Sequence, residues 1–267
     1  EPSSYRPPWY LPGPDLQSVA PQVIRRLPPI DYRRQRIDTA DGDFLDLDWS
    51  EISGDKLAIV VHGMEGNSRR PYMLGMVGAF NRAGWDAMAW NMRGCSEEPN
   101  RTPGFYHAGL TDDLEAVVVS ALSAKAYAAI VLIGFSLGGS LILKYLGERG
   151  GDAPIAASVN FSVPFDLADC AEQLHRRRNA FYLNRFLRCF RAKVREKAAL
   201  MPGAINAEGI EDIRDLRTFD ARYTAPIHGF DSVEEYWRVN SCLDFLPDSR
   251  KPARGGLSGL ARDRRGN

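Results

Sequence analysis

Gly134-Phe135-Ser136-Leu137-Gly138 is a G-x-S-x-G pattern, with a serine two residues from each glycine. Ahead of it runs Ala129 to Ile133, a short unbroken apolar stretch. Such a run reads as a strand covered on both faces. Behind it, Leu137, Leu141, Tyr145 and Leu146 recur at helical spacing. Strand, sharp turn and helix form the setting in which a serine becomes a nucleophile. A strained backbone lifts the hydroxyl from the top of the sheet. A side chain at 134 or 138 would strike the adjoining strand or helix, so glycine stands at both. The helix that starts there aims its dipole and free N–H groups at an ester oxyanion. The pentapeptide also arises by chance, and its flanks are what make it specific.

That chemistry needs a second N–H donor. The loop after the preceding apolar strand is His62-Gly63-Met64-Glu65-Gly66-Asn67-Ser68, and a His-Gly loop at this place supplies such a donor. The backbone N–H groups of Met64 and Leu137 are assigned as the oxyanion hole. His62 is read as structural, a histidine held near a strand end. Glu65 is expected to pair with Arg69, Arg70 or Arg93, without acid–base work. A base must follow the serine in the chain order Ser, acid, His, and only His175 and His228 do so. His175, beside Arg176–Arg178, is expected on the surface. His228 is the one substitute base the sequence offers. Asp112, Asp113 and Asp166 read as helix caps or solvated carboxylates.

The supporting elements alternate. Residues 35–49 form a hairpin turning at Asp41-Gly42, with Asp43, Asp46 and Asp48 expected on its solvent face. Strands follow at Lys56–Val61, Trp85–Trp90, Ala129–Ile133 and Ile155–Phe161. Helices are expected over Pro71–Ala83, Leu110–Lys125 and Leu137–Arg149, with Thr111 or Asp112 near the cap of the second. This rhythm means an α/β fold with a mostly parallel sheet and flanking helices. The chain divides into a Pro-rich N-terminal arm (1–34), a core (35–164), a helical lid (165–240) and an aberrant tail (241–267). Eight prolines lie in residues 1–29, so the arm is expected to be extended and packed through Trp9, Tyr10, Leu11, Val19 and Ile24.

Composition removes several function classes. The chain has 267 residues, enough for one sizeable domain, and its 34 basic residues balance 34 acidic ones. No global field argues for nucleic acid. No apolar run approaches a membrane span, and no signal pattern opens the chain. The first residue is Glu1, which suggests a processed product or fragment. Four scattered cysteines without a C-x-x-C suggest a reducing, cytoplasmic setting. No cofactor and no metal is expected. Within the lid, Phe181, Tyr182, Phe186 and Phe190 interleave with Arg176–Arg178, Arg185, Arg188, Arg191 and Arg195. A solvated face accounts for this simply; peripheral contact with an anionic membrane is the sharper reading. Oligomeric state is not legible.

The motifs HGMEGNS, NMRGCS (Asn91–Ser96), GFSLGG (Gly134–Gly139) and LRTFDARYTAPIHGF (Leu216–Phe230), with YLPGPDLQSVAP and DGDFLDLDW, resemble the YheT-like branch of the α/β-hydrolase superfamily. The likeness runs from about residue 7 to about residue 247. It implies the α/β-hydrolase fold and a serine carboxylic-ester hydrolase of esterase or lipase type, with Ser136 as nucleophile. It also implies a small-molecule or lipid ester substrate. The resemblance would place an acid on a strand after the lid and a base in a late Gly-Gly-His loop, and gives His228 no catalytic duty. This chain instead reads DSRKPARGGLSGLARDRRGN after Pro247. That stretch is read as unable to form a core strand, so the C-terminal strands are expected to be missing or altered and the Ile155–Phe161 edge exposed. A shifted reading frame or a replaced C-terminus would explain it. The alternative function is a catalytically inactive hydrolase-like binding protein.

Overall fold

The computed structural model describes residues 6–11, 13–24, 27–248 and, as backbone, 253–256. Its centre is a seven-stranded sheet in the order β1-β2-β4-β3-β5-β6-β7. The strands are β1 (Arg33–Asp38), β2 (Phe44–Ser50), β3 (Lys56–Val61), β4 (Asp86–Asn91), β5 (Ala129–Phe135), β6 (Ala157–Phe161) and β7 (Ala253–Gly256). β1 and β2 are antiparallel, β2 runs antiparallel to β4, and every later pairing is parallel. β3 and β4 are buried almost throughout, which is why they read as continuous apolar runs. Helices α2 (Pro71–Arg82), α3 (Thr111–Ala124) and α4 (Leu137–Arg149) connect them. Leu114, Val117, Leu141 and Tyr145 from these helices join Leu57, Ile59 and Leu132 of the sheet in one core.

Several expectations change. The arm is not simply extended, because Pro14–Ile24 is a helix, α1. Pro14 opens it, where a missing N–H costs nothing, and Asp15 favours the helix dipole. Pro21 forgoes one helical bond and is tolerated. Trp9, Tyr10 and Ile24 are exposed and do not anchor the arm. One tie to the body is Tyr182 Oη donating to Asp15 Oδ1 at 3.1 Å. The cap of α3 is Leu110, and neither Thr111 nor Asp112 caps it by side chain.

The hairpin aspartates are buried, not solvated. Arg34 faces Asp48 and Arg36 faces Asp46 across the β1–β2 ladder. Arg34 grips Asp48 with two bonds of 2.7 and 2.8 Å, and Asp48 also accepts from Ser68 Oγ and Asn91 Nδ2. Burial pushes the Asp48 carboxyl up, but these donors outweigh it and hold it below the ordinary range. Asp43 accepts from Asn100, Thr102 and two backbone amides. Arg93 binds Asp113 by two bonds of 2.6 and 2.7 Å. Asp113 is therefore an ion-pair partner, neither a cap nor a surface charge. Asp166 does cap α5 (Leu167–His175).

Residues 165–240, expected as a helical lid, hold α5, α6 (Ala180–Leu200), α7 (Leu216–Phe219), α8 (Ala225–Ile227) and α9 (Val233–Asn240). A π-turn at Asp220–Thr224 joins α7 to α8. Leu183, Leu187, Val194, Phe219 and Tyr223 of this segment cluster with Phe105 of the core region. The expectation that the β6 edge is exposed is corrected, since Ala253–Gly256 pairs in parallel with β6 and covers its edge. A ladder needs only backbone N–H and C=O groups, so an edge strand forms without apolar side chains. Of the rest of the tail, Cys242–Asp248 forms a 3-10 helix, and residues 249–252 and 257–267 lie outside the described residues.

The buried aspartates generate a stability prediction. Asp48→Ala strands Arg34, Ser68 and Asn91 together and is expected to cost about 3 kcal/mol. Urea denaturation measures this. A loss within error of zero would mean that Asp48 is as well solvated as the sequence suggested.

Candidate active site

Ser136 sits between β5 and α4 with φ 51° and ψ −120°. This region is strained for a side chain with a Cβ. Its amide donates to Phe161 O of β6 at 2.8 Å, which pins the turn to the next strand. The two flanking glycines are required by close approach. A Cβ on Gly134 would lie 2.5 Å from Gly139 Cα, and one on Gly138 would lie 2.5 Å from the His62 carbonyl. The second contact shows that the 62–68 loop rests on the start of α4. A Cβ on Gly63 would lie 3.0 Å from Ser136 Cβ. Met64 and the serine are thus parts of one corner.

The loop turns through Gly66 N donating to Gly63 O at 2.9 Å, with Glu65 at φ 56°. Among the described residues the amides of Met64 and Leu137 have no hydrogen-bond partner. His62 is fully buried, with Nδ1 2.8 Å from the Gly63 carbonyl, while Met92 N donates to Nε2 at 3.1 Å. One neutral tautomer, with the proton on Nδ1, satisfies both. Burial pushes its pKa down to about 4. The ring fixes the loop to the end of β4.

The Glu65 carboxylate meets none of the three arginine side chains anticipated for it. Its Oε1 accepts from Tyr106 Oη at 2.7 Å and from Lys193 Nζ of α6 at 2.9 Å, while its amide donates to Tyr106 Oη at 2.7 Å. Arg70 instead reaches the Glu65 backbone carbonyl. Burial pushes the Lys193 ammonium down, and the neighbouring Cys95 and Glu65 more than reverse this, so it ends above its ordinary value. Burial also raises the Cys95 thiol to about 11, so at neutral pH it carries no charge and Glu65 is the partner that holds Lys193. Gly63 N donates to Tyr72 Oη at 3.2 Å. Tyr72, Tyr106 and Lys193 escaped the sequence reading, since each acts through a distant residue. The G-M-E-G spacing, which invites a turn with positive φ, was the only local signal.

His228 lies at the end of α8, away from these contacts. Its ring centroid is 4.3 Å from that of His107, and its Cε1 would lie 3.0 Å from a Cβ on Gly104. Its Nε2 is buried without a hydrogen-bond partner. Burial pushes its pKa down to about 4. Among the described residues no hydrogen bond joins Ser136 Oγ to any histidine. His175 is exposed, as expected. Among the described residues no group of three or more His, Cys, Asp or Glu could hold a metal ion.

Two predictions arise here. Lys193→Met leaves the Glu65 carboxylate buried without its cation and is expected to cost about 3 kcal/mol. Adding Glu65→Gln should restore part of that loss in a double-mutant cycle; strict additivity would show that the pair is uncoupled. The second concerns pH. His62 has a folded value near 4 against about 6.5 unfolded, so the unfolded chain binds more protons between those limits. Stability is lost as pH falls through that window, by about 1.4 kcal/mol per unit. Asp220, raised to about 6 by burial, slopes the opposite way. The His62→Gln variant isolates the histidine, and its stability should fall less steeply from pH 6.5 to 4. Identical slopes would contradict a buried neutral His62.

Comparison with known proteins places the geometry. Residues 58–209 match the family model for the alpha/beta hydrolase fold. YheT of Escherichia coli (strain K12), whose name marks it provisionally as an esterase, is 34% identical over 89% of this chain and 72% of its own length. Mouse phospholipase ABHD3 is 31% identical over 83% of this chain, which spans 56% of that protein. The Pyrococcus furiosus esterase Pf2001 superposes with a TM-score of 0.51 at 17% identity, covering 89% of this chain and 87% of that one; this likeness concerns the fold alone. By that family model and the 34% identity to YheT, the chain belongs to the α/β-hydrolase superfamily, in its YheT-like branch.

Proposed function

We propose that this chain carries the nucleophile and oxyanion hole of a serine carboxylic-ester hydrolase acting on lipid or small acyl esters. The observation that carries the reading is Ser136 at φ 51°, ψ −120°, with the His62–Gly66 loop packed against it. Ser136 Oγ attacks the ester carbonyl as its proton passes to solvent; the carbonyl π pair moves onto the oxygen held by the amides of Met64 and Leu137, and collapse breaks the ester C–O bond, leaving an acyl-serine and releasing the protonated alcohol. Two unpaired amides facing one reacting oxygen would supply several kcal/mol of transition-state stabilisation. The acyl-ester substrate class is supported by relatives named phospholipase, and by a yeast monoacylglycerol lipase 28% identical over 73% of this chain. Four free cysteines fit a reducing, cytoplasmic compartment. No helix among the described residues is long and apolar enough to cross a membrane.

His228 is not assigned as the base. A general base works best with a pKa near the operating pH, and desolvation has moved this ring to about 4. The absence of a described histidine bonded to Ser136 favours the second reading, a hydrolase-like protein that binds acyl esters without turning them over.

A fluorophosphonate probe followed by mass spectrometry separates the two. Under the hydrolase reading Ser136 is labelled, labelling disappears in Ser136→Ala, and p-nitrophenyl ester turnover disappears with it. A folded chain that binds an acyl ester but is neither labelled nor active would establish the second reading.

A further inference from the structure

The outward face at the start of α6 is unlike the rest of the surface. From Arg176 to Arg195 the chain contains no acidic residue. Arg176, Arg177, Arg178, Arg185 and Arg188 are exposed, and among the described residues none of them makes a salt bridge. Further along the helix, Arg191 and Arg195 pair with Glu211, and Lys193 turns inward to Glu65. Leu183, Leu187 and Val194 face the cluster around Phe105. Phe181, Arg185 and Arg188, spaced by four and then three residues, share the opposite stripe. Phe181 is 67% exposed, although its size would ordinarily put it inside.

The N-terminal arm adds to the same end. The Tyr182 Oη bond to Asp15 ties the first turn of α1 to the first turn of α6. Just before α1 stand Trp9 and Tyr10, 90% and 61% exposed, with rings edge to face at 5.7 Å. Glu172, exposed on α5, is the nearest acidic residue upstream of the arginines in the chain.

We propose that this arginine–aromatic face, formed by the start of α6 and the segment before α1, docks the chain on an anionic lipid bilayer. Unpaired guanidinium groups suit lipid phosphates and carboxylates. Exposed Trp, Tyr and Phe suit the headgroup layer, where an apolar ring meets water. Nucleic acid would use the same cations, but the aliphatic exposure of Leu16 and Ile24 on α1 has no role there. The docking does not depend on Ser136, so it stands or falls separately from the hydrolase reading.

The test is flotation of the full chain with vesicles of phosphatidylcholine mixed with phosphatidylserine, against phosphatidylcholine alone. Binding is expected to the mixed vesicles, to weaken steeply with added salt, and to be unchanged in Ser136→Ala. Replacing all five arginines by Gln should lower the partition about a hundredfold or more. Replacing them by Lys should keep most of it, which separates charge from fold. Phe181→Ser with Trp9→Ser should weaken binding while leaving its salt dependence. Equal binding to neutral vesicles, full binding by the Gln variant, or tighter capture by a single-stranded oligonucleotide than by mixed vesicles would overturn the proposal.

Discussion

The site depends on two backbones lying closer together than side chains allow. The His62 carbonyl and the first turn of α4 meet at a distance that leaves no room for a Cβ on Gly138, and Gly134 meets Gly139 in the same way. This contact fixes the angle between β5 and α4. The angle places Ser136 in its strained conformation, and the loop that presses on it delivers Met64 to the same corner. The strain is supported from several sides: the Phe161 carbonyl holds the serine amide, and the neutral ring of His62 holds the loop to β4. A local distortion of this kind persists only where its surroundings over-determine it.

Much of this scaffold was legible. β3 to β6 and α2 to α4 announce themselves as apolar runs and helical spacings, because local burial alone decides them. What misled was burial determined elsewhere in the chain. Asp46 and Asp48 alternate with apolar residues and so look like a wet face. They are dry because Arg34 and Arg36 stand opposite them on β1 and Asn91 reaches Asp48 from β4. Asp113 looked like a helix-start carboxylate until Arg93 supplied a partner from a distant loop. Proline count misjudged α1 because the position of each proline matters more than the number.

The candidate site divides in the same way. Ser136, Met64 and Leu137 sit inside short motifs, and the structure brings their backbones to one corner. The residues that brace that corner, Tyr72, Tyr106 and Lys193, come from α2, a loop and α6. No spacing rule connects them to Glu65 or Gly63. At the C-terminal side, β7 shows a limit of composition as a guide. Ala253–Gly256 has poor strand propensity, yet β6 offers it a complete row of backbone partners. Side-chain preference ranks strands without dictating which backbones can pair.

The Lys193–Glu65 contact bears on the electrostatics of the corner. Glu65 follows Met64 directly, so a carboxylate sits one residue from an amide assigned to a developing negative charge. Left without a cation at this buried position, it would repel an oxyanion bound as proposed at the Met64 amide. Lys193 cancels it locally, and Lys193 belongs to α6. The potential beside the Met64 amide is thus set partly by α6. Removing Lys193 would take one positive charge from beside Glu65 and leave Arg70, on its backbone carbonyl, as the neighbouring cation.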